Sequence, residues 1–438
     1  MIGRIGDEDA TRAGDSRVLL ADDDPEIRIQ ACQALARIGD RAAVPELFAM
    51  LHDPAPGVGL AASTAIRSLA APETGAFAIA ALESGSPAAR RHALQILASL
   101  GPAEAFESLR VAVGDSDPRI AELAVVALGA IDDPRIDPVL VDLARSPDAG
   151  VRASTMRAAV HRPGDRASQL LERGLDDEYG WVRYYACQGL GRIGGTQAVA
   201  QLVARLADAA PYVRLAAIEA LSQIEAPAAW DALCRVMRSS DLDERRAALL
   251  GIGLHPNEAA IPFLLEAASS DDVATRLIAL TGLARRSDTV ALEALAAAAL
   301  DDGEEIREAA VSLLGERSDP LAAEIVVDLA LATRPEHPIH RALSRPGAAR
   351  VAAIGTRLAH GDDRGASILT AALARMHDSV AIGVLFGTLE HANPPARRAA
   401  ATILVGMGAP GSRDAVARIG REDLDPDVRC VCAALVAE

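Results

Sequence analysis

An arginine returns at a fixed interval along most of this chain. From Arg152 to Arg307 it occurs every 31 residues, and the same interval counted backwards reaches Arg28. Ten successive units therefore share one register, with Gly59 and Ala121 replacing the arginine in two of them. A long period without insertions is typical of a repeat protein, whose units pack mainly on their neighbours. The arginine column consists of Arg28, Arg90, Arg152, Arg183, Arg214, Arg245, Arg276 and Arg307.

Two further columns keep the same period. A small residue stands three positions after the arginine column, and usually Leu or Ile stands seven after it. Steps of three and four residues fall on one face of a helix, so these columns predict a buried stripe. A second apolar segment follows in each unit, as in residues 43–53 and 198–208. Each unit is thus predicted to be a helical hairpin that stacks on the next.

The ends of the first helix of each hairpin are also marked. Aspartates stand four residues before the arginine column, where a helix N-cap is expected: Asp24, Asp117, Asp148, Asp241 and Asp272. Glycines stand where the helix should end, which suits a left-handed C-terminal cap: Gly39, Gly101 and Gly194.

Composition agrees with an all-helical fold. Half of the residues are hydrophobic but only 3% are aromatic, so the apolar residues are mostly Ala, Leu, Val and Ile. Small and straight-chain residues favour helices that pack closely. We therefore predict an all-α, right-handed superhelical solenoid of about 12–13 helical hairpins.

The pattern Asp-Pro-x-Val-Arg-x-x-Ala-x-x-x-Leu resembles the inner helix of HEAT repeats. Residues 211–221 and 426–436 carry clear parts of it. The short period is similar to the compact repeats named after phycobilisome-lyase HEAT-like proteins. The resemblance covers residues 17–330 strongly and 360–438 more weakly. It is specific for fold and weak for function, because one fold supports many functions.

The register predicts four segments. Residues 1–16 are a flexible N-terminal segment, 17–331 the main solenoid, 332–347 an irregular junction with three prolines, and 348–438 a shorter second stack. The junction is either a hinge or a passive insertion. The last helix is expected to leave an apolar face uncovered, which makes self-association through the C-terminal helix a further expectation.

Charge and motifs narrow the function classes. The net charge of −17 disfavours nucleic acid and anionic membranes as partners. No apolar run long enough to span a membrane and no signal peptide are found in the sequence, so we expect a cytoplasmic protein. His337, His340 and Glu336 are close in sequence, but Pro338 interrupts the helix that would direct their side chains toward one metal ion. We predict no catalytic residues, no metal site and no cofactor.

The arginine column permits two interpretations. It could form an anion-binding ridge, or each arginine could pair with an aspartate at its own helix start or in the next repeat. The HEAT resemblance favours the second, an Asp/Arg ladder between stacked turns.

One cluster predicts a binding surface. All four tyrosines and both tryptophans lie between residues 179 and 230. Trp181 and Tyr212 occupy the same column one repeat apart, so they should be adjacent on the concave face. Exposed Trp, Tyr and Arg are typical of binding hot spots; the alternative is that these rings only pack on each other. The predicted partner-binding residues are Trp181, Tyr184, Tyr185, Gln188, Arg192, Tyr212, Glu219 and Gln223.

These observations predict a non-enzymatic scaffold that binds a protein or peptide on its concave face. Acidic flanks favour a partner with a basic segment. The phycobilisome-lyase resemblance implies an alternative, a lyase, isomerase or binder of a bulky planar ligand such as a tetrapyrrole, with the same aromatic side chains stacking on it.

Overall fold

The computed structural model describes residues 14–162, 165–194, 196–391 and 393–437, and all regular elements in these ranges are helices. Helix-to-helix packing divides the chain into two compact units, Met1–Ala247 and Ala248–Glu438. The all-α prediction is confirmed. Residues 1–13 of the predicted N-terminal segment lie outside the described residues.

The first unit consists of helical hairpins, whose first and second helices we call A and B helices. The A helices are α1 (Pro25–Ile38), α3 (Pro56–Leu69), α5 (Pro87–Leu100), α7 (Pro118–Gly129), α9 (Ala149–Ala159), α11 (Gly180–Ile193) and α13 (Pro211–Ser222). The B helices are α2 (Val44–Ala49), α4 (Thr74–Ser84), α6 (Phe106–Ala112), α8 (Ile136–Leu143), α10 (Asp165–Gly174), α12 (Val199–Arg205) and α14 (Pro227–Val236). Successive A helices pack directly on one another and form one layer, with the B helices behind them.

Helix α15 (Leu242–Leu254) contains the boundary between the units. The second unit continues with α16 (Ile261–Ala268), α17 (Val273–Ala284), α18 (Thr289–Ala298), α19 (Glu304–Glu316), α20 (Pro320–Ala332), α21 (Ile339–Leu343), α22 (Ala348–Leu358), α23 (Asp363–Met376), α24 (Ser379–His391), α25 (Pro394–Gly406), α26 (Ser412–Glu422) and α27 (Pro426–Ala437). Here too neighbouring helices pack pairwise along the chain. We also call α15, α17 and α19 A helices, because they contain Arg245, Arg276 and Arg307 of the arginine column.

Segment 332–347, predicted as an irregular junction, lies inside the second unit. It contains the short helix α21, whose Ile339, Ala342 and Leu343 side chains are buried. This helix packs on α19 and α20. The predicted domain boundary, and the choice between hinge and insertion, stay predictions.

Both predicted cap types form. Asp24, Asp117 and Asp272 each accept a hydrogen bond from a backbone amide in the first turn of their helix. Asp148 and Asp241 do the same at the starts of α9 and α15. Gly39, Gly101 and Gly194 adopt left-handed backbone angles, with φ of 78°, 59° and 74°, where glycine avoids the strain of a Cβ.

The predicted stripe is the core of the A-helix layer. Every residue of the column three after the arginine is buried: Ala31, Ala62, Ala93, Ala124, Thr155, Ala186, Ala217, Ala248, Ala279 and Ala310. The column seven after it is buried as well: Leu35, Ile66, Leu97, Leu128, Ala159, Leu190, Leu221, Ile252, Leu283 and Leu314.

Some A helices approach closely through glycine. A Cβ built on Gly129 would lie 2.5 Å from the Cβ of Ala158, and one built on Gly191 would lie 2.7 Å from the Cα of Ala220. A Cβ built on Gly253 would lie 3.2 Å from the Cα of Gly282. These glycines recur at every second repeat, so close approach has twice the period of the arginine column.

A second set of arginine side chains donates hydrogen bonds to the C-terminal ends of A helices. Arg162 donates to the backbone oxygen of Ile131 at 2.6 Å, and Arg286 to that of His255 at 2.7 Å. The buried Arg350 donates to the oxygens of Gly315 and Arg317 at 3.1 and 3.3 Å. Each guanidinium therefore satisfies carbonyls at or just beyond the end of the preceding A helix, which have no partner within that helix.

Candidate functional site

The aromatic side chains of α11 and α13 form one surface cluster. The rings of Trp181 and Tyr212 stack, with centroids 4.7 Å apart and planes 20° apart. Tyr184 meets Trp181 edge-on, with centroids 5.3 Å apart, and Tyr185 lies 5.1 Å from Tyr184. Trp181 and Tyr212 are therefore adjacent, as their one-repeat spacing predicts. We call Trp181, Tyr184, Tyr185 and Tyr212 the aromatic cluster.

Small residues make this arrangement possible. The contact of Gly191 with Ala220 brings α11 and α13 together at their C-terminal ends. At the opposite end of α11, a Cβ on Gly180 would overlap the hydroxyl group of Tyr212. Glycine at this position therefore gives the Tyr212 ring room to lie over α11 and stack on Trp181.

The cluster is only partly buried. Trp181 keeps 42% of its surface exposed, as does the neighbouring Tyr179, while Tyr184, Tyr185 and Tyr212 are half-buried. Ring-on-ring packing thus does not remove the cluster from solvent. Large aromatic side chains exposed together are uncommon on a surface without a binding role.

Polar groups fix the orientation of the rings. The Gln188 side-chain amide donates to the Tyr184 hydroxyl at 2.8 Å. Burial raises the pKa of Tyr184, and the nearby carboxylate of Glu219 raises it further, so this phenol stays protonated. The Arg157 guanidinium lies over the Tyr185 ring, 5.4 Å from its centroid, a distance at which cation and ring attract.

The remaining predicted residues lie at the edge. Arg192 lines a cavity of about 230 Å³ together with Tyr185, Gln188 and His161. Glu219 and Gln223 are exposed on and just after α13. Trp230 lies on α14, a B helix, so it belongs to the other layer. Partner binding by this set stays a prediction.

Exposed carboxylates precede α11 in the chain and lie on α13. The side chains of Asp176 and Glu178 are 82% and 89% exposed in the turn before α11. Asp176 lies 3.6 Å from an Arg205 nitrogen and Glu178 3.3 Å from an Arg152 nitrogen. Glu219 on α13 is close enough to Tyr184 to raise the pKa of that phenol. A partner with basic side chains would find complementary charge there.

The arginine column forms a ladder between successive turns. Arg183 donates through Nε and Nη2 to both carboxylate oxygens of Asp208, at 2.7 and 2.8 Å, and through Nη1 to the backbone oxygen of Asp177 at 2.8 Å. Asp177 in turn accepts from Arg152 at 2.8 Å. Equivalent pairs join Arg28 to Asp53, Arg90 to Asp115 and Arg276 to Asp301. These guanidinium groups are largely buried and occupied, so they do not form an open anion-binding ridge.

The ladder uses a different aspartate from the one that caps the helix. Partners such as Asp53 and Asp208 stand six residues before the next column position, whereas the aspartates four before it serve as caps. Where Ser239 replaces the aspartate, Glu244 takes over and accepts from Arg214 Nε at 2.5 Å. Of the two pairing arrangements left open by the sequence, the structure shows the one that crosses to the next repeat for six of the eight column arginines. The other two, Arg245 and Arg307, donate to the backbone oxygens of Ser239 and Asp301.

Other site types are not supported in the described part of the chain. Groups of three or more His, Cys, Asp or Glu that could hold a metal ion are not found there. The same residues contain no helix that is long and apolar enough to cross a membrane. His337 and His340 lie around the start of α21, where burial lowers the pKa of both rings.

Comparison with known proteins identifies the repeats. The sequence profile of HEAT repeats matches residues 17–78, 75–159, 167–253, 231–315 and 261–342. Phycocyanobilin lyase subunit alpha of Thermosynechococcus vestitus is 29% identical over 223 residues, which is 48% of this chain and 75% of that protein. The crystal structure of importin beta aligns with 97% of this chain and 72% of that one, at 13% identity and a TM-score of 0.51.

These similarities have different weight. At 13% identity, importin beta is evidence for the fold alone, and it supports a helical solenoid. The profile match covers well over half of the chain and agrees with the observed stack of hairpins. The chain therefore belongs to the HEAT repeat family.

Proposed function

We propose that this protein is a non-enzymatic interaction scaffold that binds a protein or peptide through the aromatic cluster. The observation that carries the proposal is the stacked pair of Trp181 and Tyr212, of which Trp181 stays 42% exposed. Trp and Tyr bury large contact areas with little loss of conformational freedom, and they dominate binding energies at interfaces. Two adjacent A helices present these rings on a pre-organised surface, which lowers the entropic cost of binding.

The charge around the cluster restricts the partner. Glu219 near Tyr184 and Glu178 next to Tyr179 are exposed carboxylates, and the chain as a whole has a net charge of −17. We therefore propose a partner segment that combines basic side chains with an apolar or aromatic anchor. Steering by opposite charge would raise the association rate and make it depend on salt.

Replacing Trp181, Tyr184 and Tyr212 together with alanine tests this proposal. Peptides selected from a random library on the wild-type chain are expected to be enriched in Arg and Lys. Their affinity for the triple variant is expected to fall about ten-fold or more, since hot-spot aromatics each contribute over a kilocalorie. Affinity is measured by fluorescence anisotropy of labelled peptides.

The matched control is Phe77→Ala, which removes a partly exposed ring of the same unit that stacks on Phe48, away from the cluster. It should leave peptide affinity unchanged. Circular dichroism checks that both variants stay helical. Equal binding by wild type and triple variant would assign the cluster a purely structural role.

A second candidate function is favoured by one observation, the similarity to phycocyanobilin lyase subunit alpha over 75% of that protein. We propose as the alternative that the aromatic cluster stacks on a planar ligand such as a tetrapyrrole. If so, adding phycocyanobilin to the purified chain should shift the visible absorbance bands of the pigment, and the triple variant should abolish the shift. An unchanged spectrum with wild-type protein would eliminate this candidate and leave the peptide proposal standing.

A further inference from the structure

A cavity opens on the A-helix layer of the first unit where the arginine column is interrupted. Its volume is about 560 Å³, within the range of small-molecule sites. The charged and polar side chains of its lining come mainly from α5, α7 and α9: Arg91, His92, Gln95, Arg119, Glu122 and Arg157.

Both members of a ladder pair are missing at this place, as they also are at Ala121 and Ser146. Gly59 occupies the arginine position of α3, and Ser84 occupies the position of the aspartate that would receive it. His92 fills part of the vacated space, because a Cβ on Gly59 would lie 3.1 Å from its Nε2. Gly59 itself lines the cavity.

Positive charge collects around this space. Arg91, Arg119 and Arg157 project from three successive A helices. Arg91 pairs with Asp117 at 3.1 Å. For Arg119 and Arg157, the described residues offer no carboxylate within ion-pairing distance, which sets them apart from the occupied ladder arginines. The cavity therefore has two guanidinium groups, Arg119 and Arg157, that no ion pair neutralises, although Arg157 also lies over the Tyr185 ring.

The other titratable groups of the lining modify this charge without cancelling it. Asp53 is already held by Arg28 at 2.8 Å. Burial lowers the pKa of His92, and the nearby Arg91 and Arg67 lower it further, so its ring is neutral at neutral pH. Glu122 is the remaining carboxylate of the lining and opposes the arginines.

We infer that this cavity binds a small molecule that carries two or more oxyanion groups, either carboxylates or phosphates. A guanidinium group donates two parallel hydrogen bonds to either oxyanion, and it cannot lose its charge to a neighbour. Arg119 and Arg157 each supply one such fork, and Arg91 with Gln95 completes the polar lining. The site is distinct from the aromatic cluster, although the Arg157 guanidinium also contacts Tyr185.

Isothermal titration of the full chain with citrate and with pyrophosphate, in metal-free buffer, tests the inference and separates the two oxyanion types. Arg119→Gln is expected to weaken binding of the preferred probe about ten-fold, the usual value of a charge-assisted hydrogen bond. Glu122→Gln should strengthen it, since it removes the opposing charge. Arg119 is exposed and only its backbone amide takes part in the helix cap, so the substitution should leave the fold intact.

Arg145→Gln provides the charge-matched control, because Arg145 is 70% exposed and lies outside the cavity. The inference is overturned if neither probe binds, if Arg145→Gln weakens binding as much as Arg119→Gln, or if Glu122→Gln weakens it as well. The triple aromatic variant should bind the probe like wild type. If the peptide proposal fails, the expected oxyanion binding is therefore unaffected. If no oxyanion binds, the peptide proposal is likewise unaffected.

Discussion

Replacing Gly191 with alanine is expected to lower the free energy of unfolding by about 1–3 kcal/mol, the usual cost of overpacking a well-packed contact. The new methyl carbon would lie 2.7 Å from the Cα of Ala220. A backbone atom cannot rotate away, so α11 and α13 would have to separate. Urea unfolding followed by circular dichroism measures the change.

Gly75→Ala is the matched control in the same unit. A Cβ on Gly75, within α4, would lie 3.5 Å from the side chain of Pro102, an ordinary contact. Alanine is a better helix former than glycine, but Gly75 lies in the first turn of α4, so this substitution should be neutral or stabilise the chain by less than about 0.5 kcal/mol. A stabilising effect of Gly191→Ala would show that the two helices are not held at the observed distance.

The repeat architecture was predictable because its determinants are local and recur. The caps at Asp24 and Gly39 and the stripe through Ala31 and Leu35 each depend on residues within one helix. The repeat period then places equivalent residues of successive repeats side by side. The one-repeat spacing of Trp181 and Tyr212 therefore predicted their contact.

Contacts between repeats were less predictable, because compensating residues occupy different positions. Glu244 replaces the missing aspartate at Ser239. The close-approach glycines recur at two repeats, a period hidden beneath the stronger single one; the spacing of Gly129, Gly191 and Gly253 was the available signal. In the second set of arginines, Arg162 and Arg286 are four 31-residue intervals apart, but Arg350 falls outside this register, so the set is hard to recognise without the structure.

The two candidate sites also differ in how far the sequence alone predicts them. The aromatic cluster is marked by rare residues that are present, so composition points to it. The cavity is marked by the missing side chain at Gly59 and by arginines outside the main column. The interruption of a repeat does not by itself distinguish a site from sequence drift. That Arg119 and Arg157 both line this cavity and have no carboxylate partner among the described residues follows only from the structure.

Arg183→Met is expected to destabilise the first unit by about 3–5 kcal/mol, the cost of leaving a buried charge without its partner. The Asp208 side chain is only 4% exposed, and it would keep just the amide of Ala210 as a hydrogen-bond donor. Arg145→Met, in a pair whose side chains are 70% and 82% exposed, should change stability by less than about 1 kcal/mol. Both values are measured by urea unfolding at neutral pH.

The pH dependence of this loss identifies its origin. Burial would raise the pKa of Asp208, but the hydrogen bonds from Arg183 and the Ala210 amide outweigh it and lower the pKa. A lowered folded-state pKa stabilises the chain above the unfolded value of about 3.9, and this stabilisation disappears as pH falls through the folded-state pKa. The difference in unfolding free energy between wild type and Arg183→Met should therefore become smaller as the pH is lowered.

Adding Asp208→Asn to Arg183→Met should recover part of the lost stability, because the uncompensated charge is removed. If the difference in unfolding free energy stays constant with pH and the double variant recovers no stability, Arg183 contributes through packing and not through its pairing with Asp208.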